Sequence, residues 1–135
     1  MNRGDTAAAP PSVLVVDDDL YLLAAIKQTL TLNGYAATTC GNPLEALARL
    51  GDQPFAAVLA DIRMPEMNGM VLLERIVERD PDLPVILITG HGDISLAVEA
   101  VKKGAYDFLQ KPVDEDIILA TLGRALERRR LVQEN

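Results

Sequence analysis

Five short apolar or β-branched runs, separated by longer segments of helical period, constrain this chain more than any other feature of it. The runs are Val13–Val16, Ala36–Cys40, Phe55–Ala60, Val85–Thr89 and Asp107–Leu109. Three are apolar almost throughout, as expected of strands covered on both faces. Between the first two, Leu23, Ile26 and Leu30 make one apolar helical face that Asn33-Gly34 stops. A second helix opens at Asn42-Pro43-Leu44-Glu45, with Asn42 as cap, Pro43 at the first helical position and Glu45 reaching back. A third runs from Gly69 to Asp80 on Leu72, Leu73, Ile76 and Val77, and a fourth from Asp93 to Lys103 on Ile94, Ala97, Val98 and Val101. The last follows Pro112: Asp114, Glu115 and Asp116 suit its positive end, and Arg128–Arg130 its negative end. Strands alternating with helices predict a (βα)5 doubly wound parallel sheet.

The chain has 135 residues, the size of one domain with one core. An Ala/Pro-rich leader, residues 1–12, reads as disordered. No apolar run approaches the roughly 20 residues of a spanning helix, and the N-terminus has no signal-peptide pattern. A cytoplasmic protein without membrane contact is the expectation. A net charge of −7 opposes binding to phosphate backbones, so this segment is expected not to bind nucleic acid directly. The one cysteine, Cys40, has no partner for a disulfide and reads as a small core residue.

Open α/β sheets place ligands beyond the carboxyl ends of their strands, where strand order reverses; for the order 2-1-3-4-5, that crevice lies between strands one and three. Asp17 and Asp18 follow the first strand, Asp61 the third, Thr89 ends the fourth, and Lys111-Pro112 follows the fifth. Clustered carboxylates repel unless a cation balances them, and an all-oxygen set suits Mg²⁺. A cation, an ammonium and a hydroxyl together can hold a phosphoryl group. A carboxylate beside the metal can act as nucleophile and form an aspartyl phosphate. Asp61, on the central strand, fits that role, with Asp17 and Asp18 as metal holders. The third member of the acidic run, Asp19, reads as the cap of the first helix.

The stretches VVDDD, DIRMPEMNG, LITGHGD and GAYDFLQKP, in that order between Val13 and Leu126, resemble those of response-regulator receiver domains of two-component systems. The resemblance implies a flavodoxin-like, CheY-like fold over residues 13–126 and a regulatory phosphoacceptor rather than an enzyme. It implies Asp61 as the phosphorylated residue, Asp18 as direct metal ligand with Asp17 beside it, and the backbone carbonyl of Arg63 as a further ligand of Mg²⁺. It implies that Thr89 and Lys111 contact the phosphoryl group, and that Thr89 and Phe108 form a switch in which the aromatic ring turns inward. Gly90-His91-Gly92 would permit that movement. The Lys111-Pro112 bond is expected to be cis. The partner implied is a sensor histidine kinase, so the lone His91 reads as a loop residue and not as a phosphodonor.

TGHGD, AYDF and the terminal RRLVQEN are closer still to the receivers of sigma-54-dependent activators of the NtrC type, among them the C4-dicarboxylate transport regulators. Residues 127–135 would then begin a linker helix toward an effector region. Leu119, Leu122 and Leu126 read as core or dimer-facing positions, while Leu131 and Val132 favour a partner helix and hence a homodimer. Two other readings compete. A standalone receiver would act by protein binding alone. A haloacid-dehalogenase-type phosphatase would use Asp17 as nucleophile and Asp19 as acid/base, but it leaves Asp61 without a task and lacks a later strand with paired acids.

Overall fold

The computed structural model describes residues 9–64, 68–90 and 92–134. Its elements alternate strictly: β1 (Ser12–Val16), α1 (Leu20–Leu32), β2 (Ala36–Cys40), α2 (Pro43–Asp52), β3 (Ala57–Asp61), α3 (Gly69–Arg79), β4 (Val85–Thr89), α4 (Ile94–Lys102), β5 (Asp107–Gln110) and α5 (Glu115–Glu134). The strands form one parallel sheet in the order β2-β1-β3-β4-β5, the order expected from the sequence. Most of the predicted leader, His91 and Pro65–Met67 lie outside the described residues.

The side-chain period of two divides each central strand between two core layers. Leu14, Val16, Val58, Ala60, Val85 and Leu87 face α2, α3 and α4, meeting Ala46, Leu72, Leu73, Ile76 and Ala100. Val13, Val15, Leu59, Ile86, Ile88 and Leu109 face α1 and α5, meeting Leu23, Ile26, Leu30, Ile118 and Leu122. Cys40 is buried, and burial first, then the charge of Glu45, pushes its thiol up to about 11, so it stays protonated as a core residue.

Helix starts follow the sequence closely. Asp19 Oδ1 accepts the N–H groups of Tyr21 and Leu22, Asn42 Oδ1 that of Glu45, and Asn68 Oδ1 that of Val71. Glu45 does reach back, but to the N–H of Gly41 at 3.4 Å, one residue before the cap.

Three expectations are corrected. The strand expected over Phe55–Ala60 is displaced to Ala57–Asp61, because its pairing with the fourth strand runs on to Asp61 opposite Ile88, and this puts Asp61 inside the ladder. Helix α4 is rotated from its expected face: it buries Ala97 and Ala100, leaving Ile94, Val98 and Val101 about two-fifths exposed. Small residues let the helix lie close to the sheet, and the larger apolar ones point outward. Arg128–Arg130 do not close α5, because the helix continues to Glu134. Arg129 instead pairs with Asp80 at 2.9 Å, Arg128 lies over the Tyr106 ring, and Arg130 pairs with Glu127 and Glu134. Leu122 is fully buried, Leu119 and Leu126 pack against the second layer, and Leu131 and Val132 are exposed.

At the entry to α3 the backbone approaches the sheet edge closely. A Cβ on Gly69 would lie 2.7 Å from Ile62 Cα and 2.8 Å from the Asp61 carbonyl oxygen, both backbone atoms that cannot step aside. Gly69→Ala is therefore expected to lower the stability measured by urea denaturation by about 1–3 kcal/mol. Gly123→Ala, inside α5 with open space around it, is expected to raise it by about 0.5–1 kcal/mol.

Candidate functional site

Parallel strands deliver their last residues to one edge, and the chemistry-bearing side chains of this chain gather there. Asp17 follows β1 and continues its ladder, its N–H donating to the Cys40 carbonyl. Asp61 is the last residue of β3, Thr89 the last of β4, and Lys111 follows β5, held by an N–H donated to the Thr89 carbonyl at 2.7 Å. Asp17 and Thr89 are fully buried and Asp61 is 6% exposed, while Asp18 is open to solvent.

The ammonium of Lys111 lies between two of the carboxylates. Its Nζ donates to Asp61 Oδ2 at 2.8 Å and stands 3.7 Å from Asp17 Oδ2. Burial works to lower the lysine pKa, but the hydrogen bond to Asp61 and the charges of Asp17 and Asp61 outweigh it, so the ammonium is held protonated. The remaining oxygens are bound locally: Asp17 Oδ1 accepts the N–H of Asp19 at 2.9 Å, and Asp61 Oδ1 the N–H of Arg63 at 3.0 Å.

Two buried atoms here, Asp17 Oδ2 and Thr89 Oγ1, have no hydrogen-bond partner among the described residues. One oxygen from each of Asp17, Asp18 and Asp61 lies within 4.8 Å of the others. An orphaned buried carboxylate oxygen within an all-oxygen donor set fits a hard divalent cation that keeps several waters, such as Mg²⁺. The structure therefore brings together the predicted residues Asp17, Asp18, Asp61, Thr89 and Lys111. Lys111-Pro112 is cis, and Phe108 is half-buried against the first core layer.

One contact was not anticipated. The Arg63 side chain, for which the sequence suggested only a role for the backbone carbonyl, binds Asp93 with Nε at 2.8 and 2.9 Å from the two carboxylate oxygens and Nη2 at 2.6 Å from one. The available signal was positional: β3 and β4 are neighbours, so residues two past Asp61 and four past Thr89 lie in adjacent loops.

Burial, opposed by the bond from Asp19 and reinforced by the charge of Asp61, raises the Asp17 pKa from 3.8 to about 6. An acid whose folded pKa exceeds its unfolded one destabilises the fold when ionised: the penalty is full above about pH 6 and absent below about 3.8. In metal-free protein at pH 7.5, Asp17→Asn is expected to raise the unfolding free energy measured by urea denaturation, by at most about 3 kcal/mol at 1.36 kcal/mol per pKa unit. The gain is expected to fade as the pH is lowered through 6 to 4.

The sequence profile of the family described as "Response regulator receiver domain" matches residues 13–123. The chain is 48% identical over 128 residues to the C4-dicarboxylate transport transcriptional regulatory protein DctD of Rhizobium meliloti, covering 95% of this chain and 28% of that protein. It is 51% identical to DctD of Pseudomonas aeruginosa, over 94% of this chain and 28% of that one. It thus spans less than a third of these relatives. Among solved structures, a response regulator receiver domain protein from Clostridium thermocellum superposes with a TM-score of 0.88 at 32% identity, covering 90% of this chain and 98% of that one. The receiver domain of NtrX from Brucella abortus gives 0.81 at 37% identity, over 85% and 98% of the two chains. A sheet with five parallel strands, an acidic cluster at its carboxyl edge and this matched profile lead to one conclusion: the chain belongs to the response regulator receiver domain family.

Proposed function

We propose that Asp61 is the phosphoacceptor of this receiver, taking a phosphoryl group from a sensor histidine kinase with Mg²⁺ held by Asp17, Asp18, Asp61 and the Arg63 carbonyl. The observation that carries the reading is the pair of buried atoms without partners among the described residues, Asp17 Oδ2 and Thr89 Oγ1, at the same sheet edge as the Asp61–Lys111 ion pair. An Asp61 oxygen attacks phosphorus, the bond from phosphorus to the kinase imidazole breaks, and the imidazole nitrogen keeps the electron pair. Bound Mg²⁺ supplies charge that neutralises the phosphoryl oxygens. Lys111 moves its hydrogen bond from the Asp61 carboxylate to a phosphoryl oxygen, and Thr89 donates its hydroxyl to another. Thr89 leaves space on moving, into which Phe108 turns. The domain assists transfer and hydrolysis but turns over no external metabolite. Asp19 is an unsuitable acid/base for the phosphatase reading, because its side chain caps α1.

The setting we propose is cytoplasmic, in a transcription regulator. The relatives named above are transcriptional regulatory proteins of C4-dicarboxylate transport, which supports an output through sigma-54-dependent transcription activation, with residues 127–135 leading to the effector region. Among the described residues no helix is long and apolar enough to cross a membrane. Exposed Leu131 and Val132, continuous with Leu119 on α5, support a homodimer.

Intact-mass measurement after acetyl phosphate and Mg²⁺ is expected to show one added phosphoryl group, absent in Asp61→Asn; no addition to the parent chain would overturn the reading. Leu131→Glu is expected to leave that labelling unchanged while shifting sedimentation toward monomer.

A further inference from the structure

Among the described residues, four of the five helices start on a side chain that accepts first-turn N–H groups: Asp19, Asn42, Asn68 and Asp114, the last accepting from Asp116 at 2.8 Å. Asp93 occupies the same place before α4 and makes no such bond. A cap of this kind contributes about 1 kcal/mol. The Asp93 carboxylate, in a residue only 5% exposed, is committed instead to the two-pronged contact with the Arg63 guanidinium. Charge-assisted bonds of this geometry are about twice as strong as neutral ones. Arg63 in turn keeps the Asp93 carboxyl below its ordinary pKa, so the pair is ionised at neutral pH.

The other end of Arg63 is the acceptor loop. Its N–H holds Asp61 Oδ1 at 3.0 Å, and its carbonyl is the metal ligand in the reading above. The backbone of Asp93 is itself fixed, accepting the N–H of Ala97 and donating to the Gly90 carbonyl. A continuous line of contacts therefore runs from α4 through Asp93 and the Arg63 side chain to the oxygen of Asp61.

We propose that Asp93 is a positioning residue for the phosphoacceptor: by clamping the Arg63 side chain it orients the Arg63 peptide, and with it Asp61 Oδ1 and the carbonyl offered to the cation. The proposal rests on the phosphoacceptor reading for its consequence and on the clamp geometry for its cause. Outer contacts of this kind typically change metal affinity by about tenfold or more. The lost α4 cap is what the clamp costs, so releasing Asp93 frees a cap as it loosens the loop.

The test compares Asp93→Asn, Arg63→Ala and the double variant, Asn being able to cap α4. In metal-free protein, each single variant is expected to lower hydrogen-exchange protection of the residue 63 amide, with core amides of β3 and β4 unchanged. Mg²⁺ affinity by calorimetry is expected to fall by about tenfold, and the double variant to be no worse than either single one. Parent-like protection and Mg²⁺ affinity in Asp93→Asn would overturn the proposal, as would additive losses in the double variant or a loss spread equally over core amides. Failure of the parent to take up a phosphoryl group would instead defeat the phosphoacceptor reading, while the exchange result still decides the clamp.

Discussion

Buried carboxylates within a few ångströms of one another need positive charge between them, and the edge of this sheet is organised around the ammonium of Lys111, which provides it among the described residues. Lys111 donates to Asp61 and stands close to Asp17, although its own chain segment lies at the far side of the sheet after β5. The compensation is partial. Asp17 retains a raised pKa and an oxygen without a hydrogen-bond partner, so the site has capacity for a further cation. Burial is the main cause of that shift, because desolvation favours the neutral acid, and the bond from the Asp19 N–H offsets it only in part.

That arrangement relies on a frame that does not yield. Parallel ladders carry every strand end to the same edge, and both faces of β3 and β4 are buried, so Asp61 and Thr89 project from strands buried along their whole length. Gly69 shows how closely the frame approaches the site, since even a methyl group there would meet the backbone that carries Asp61. Interiors this dense pass small displacements on rather than absorbing them. A change at Asp61 therefore has a mechanical route outward, and the Arg63–Asp93 contact extends that route to α4.

Much of this was legible in the chain before folding. Strand runs, the caps Asp19 and Asn42, and the placing of Asp17, Asp18, Asp61, Thr89 and Lys111 at or just past strand ends all follow from local pattern, because strand ends of a parallel sheet share an edge. What misled was composition without context. Ile94, Val98 and Val101 are apolar at helical spacing, yet the sheet receives Ala97 and Ala100. Arg128–Arg130 suit a helix end, yet α5 runs on and its arginines find Asp80, Tyr106 and Glu127. Asp93 looked like a helix start and is spent on a side chain thirty residues away.

The sequence by itself determined the alternation of elements and the identity of the groups at the carboxyl edge, since periodicity and turn chemistry act within a few residues; the strand order was implied only by the resemblance to receiver domains. Only the tertiary structure decided which oxygens Lys111 reaches, which buried atoms are left without partners, which face α4 turns to the sheet and that Arg63 closes on Asp93. Those outcomes depend on distances between segments far apart in the chain, and packing, not local preference, sets them.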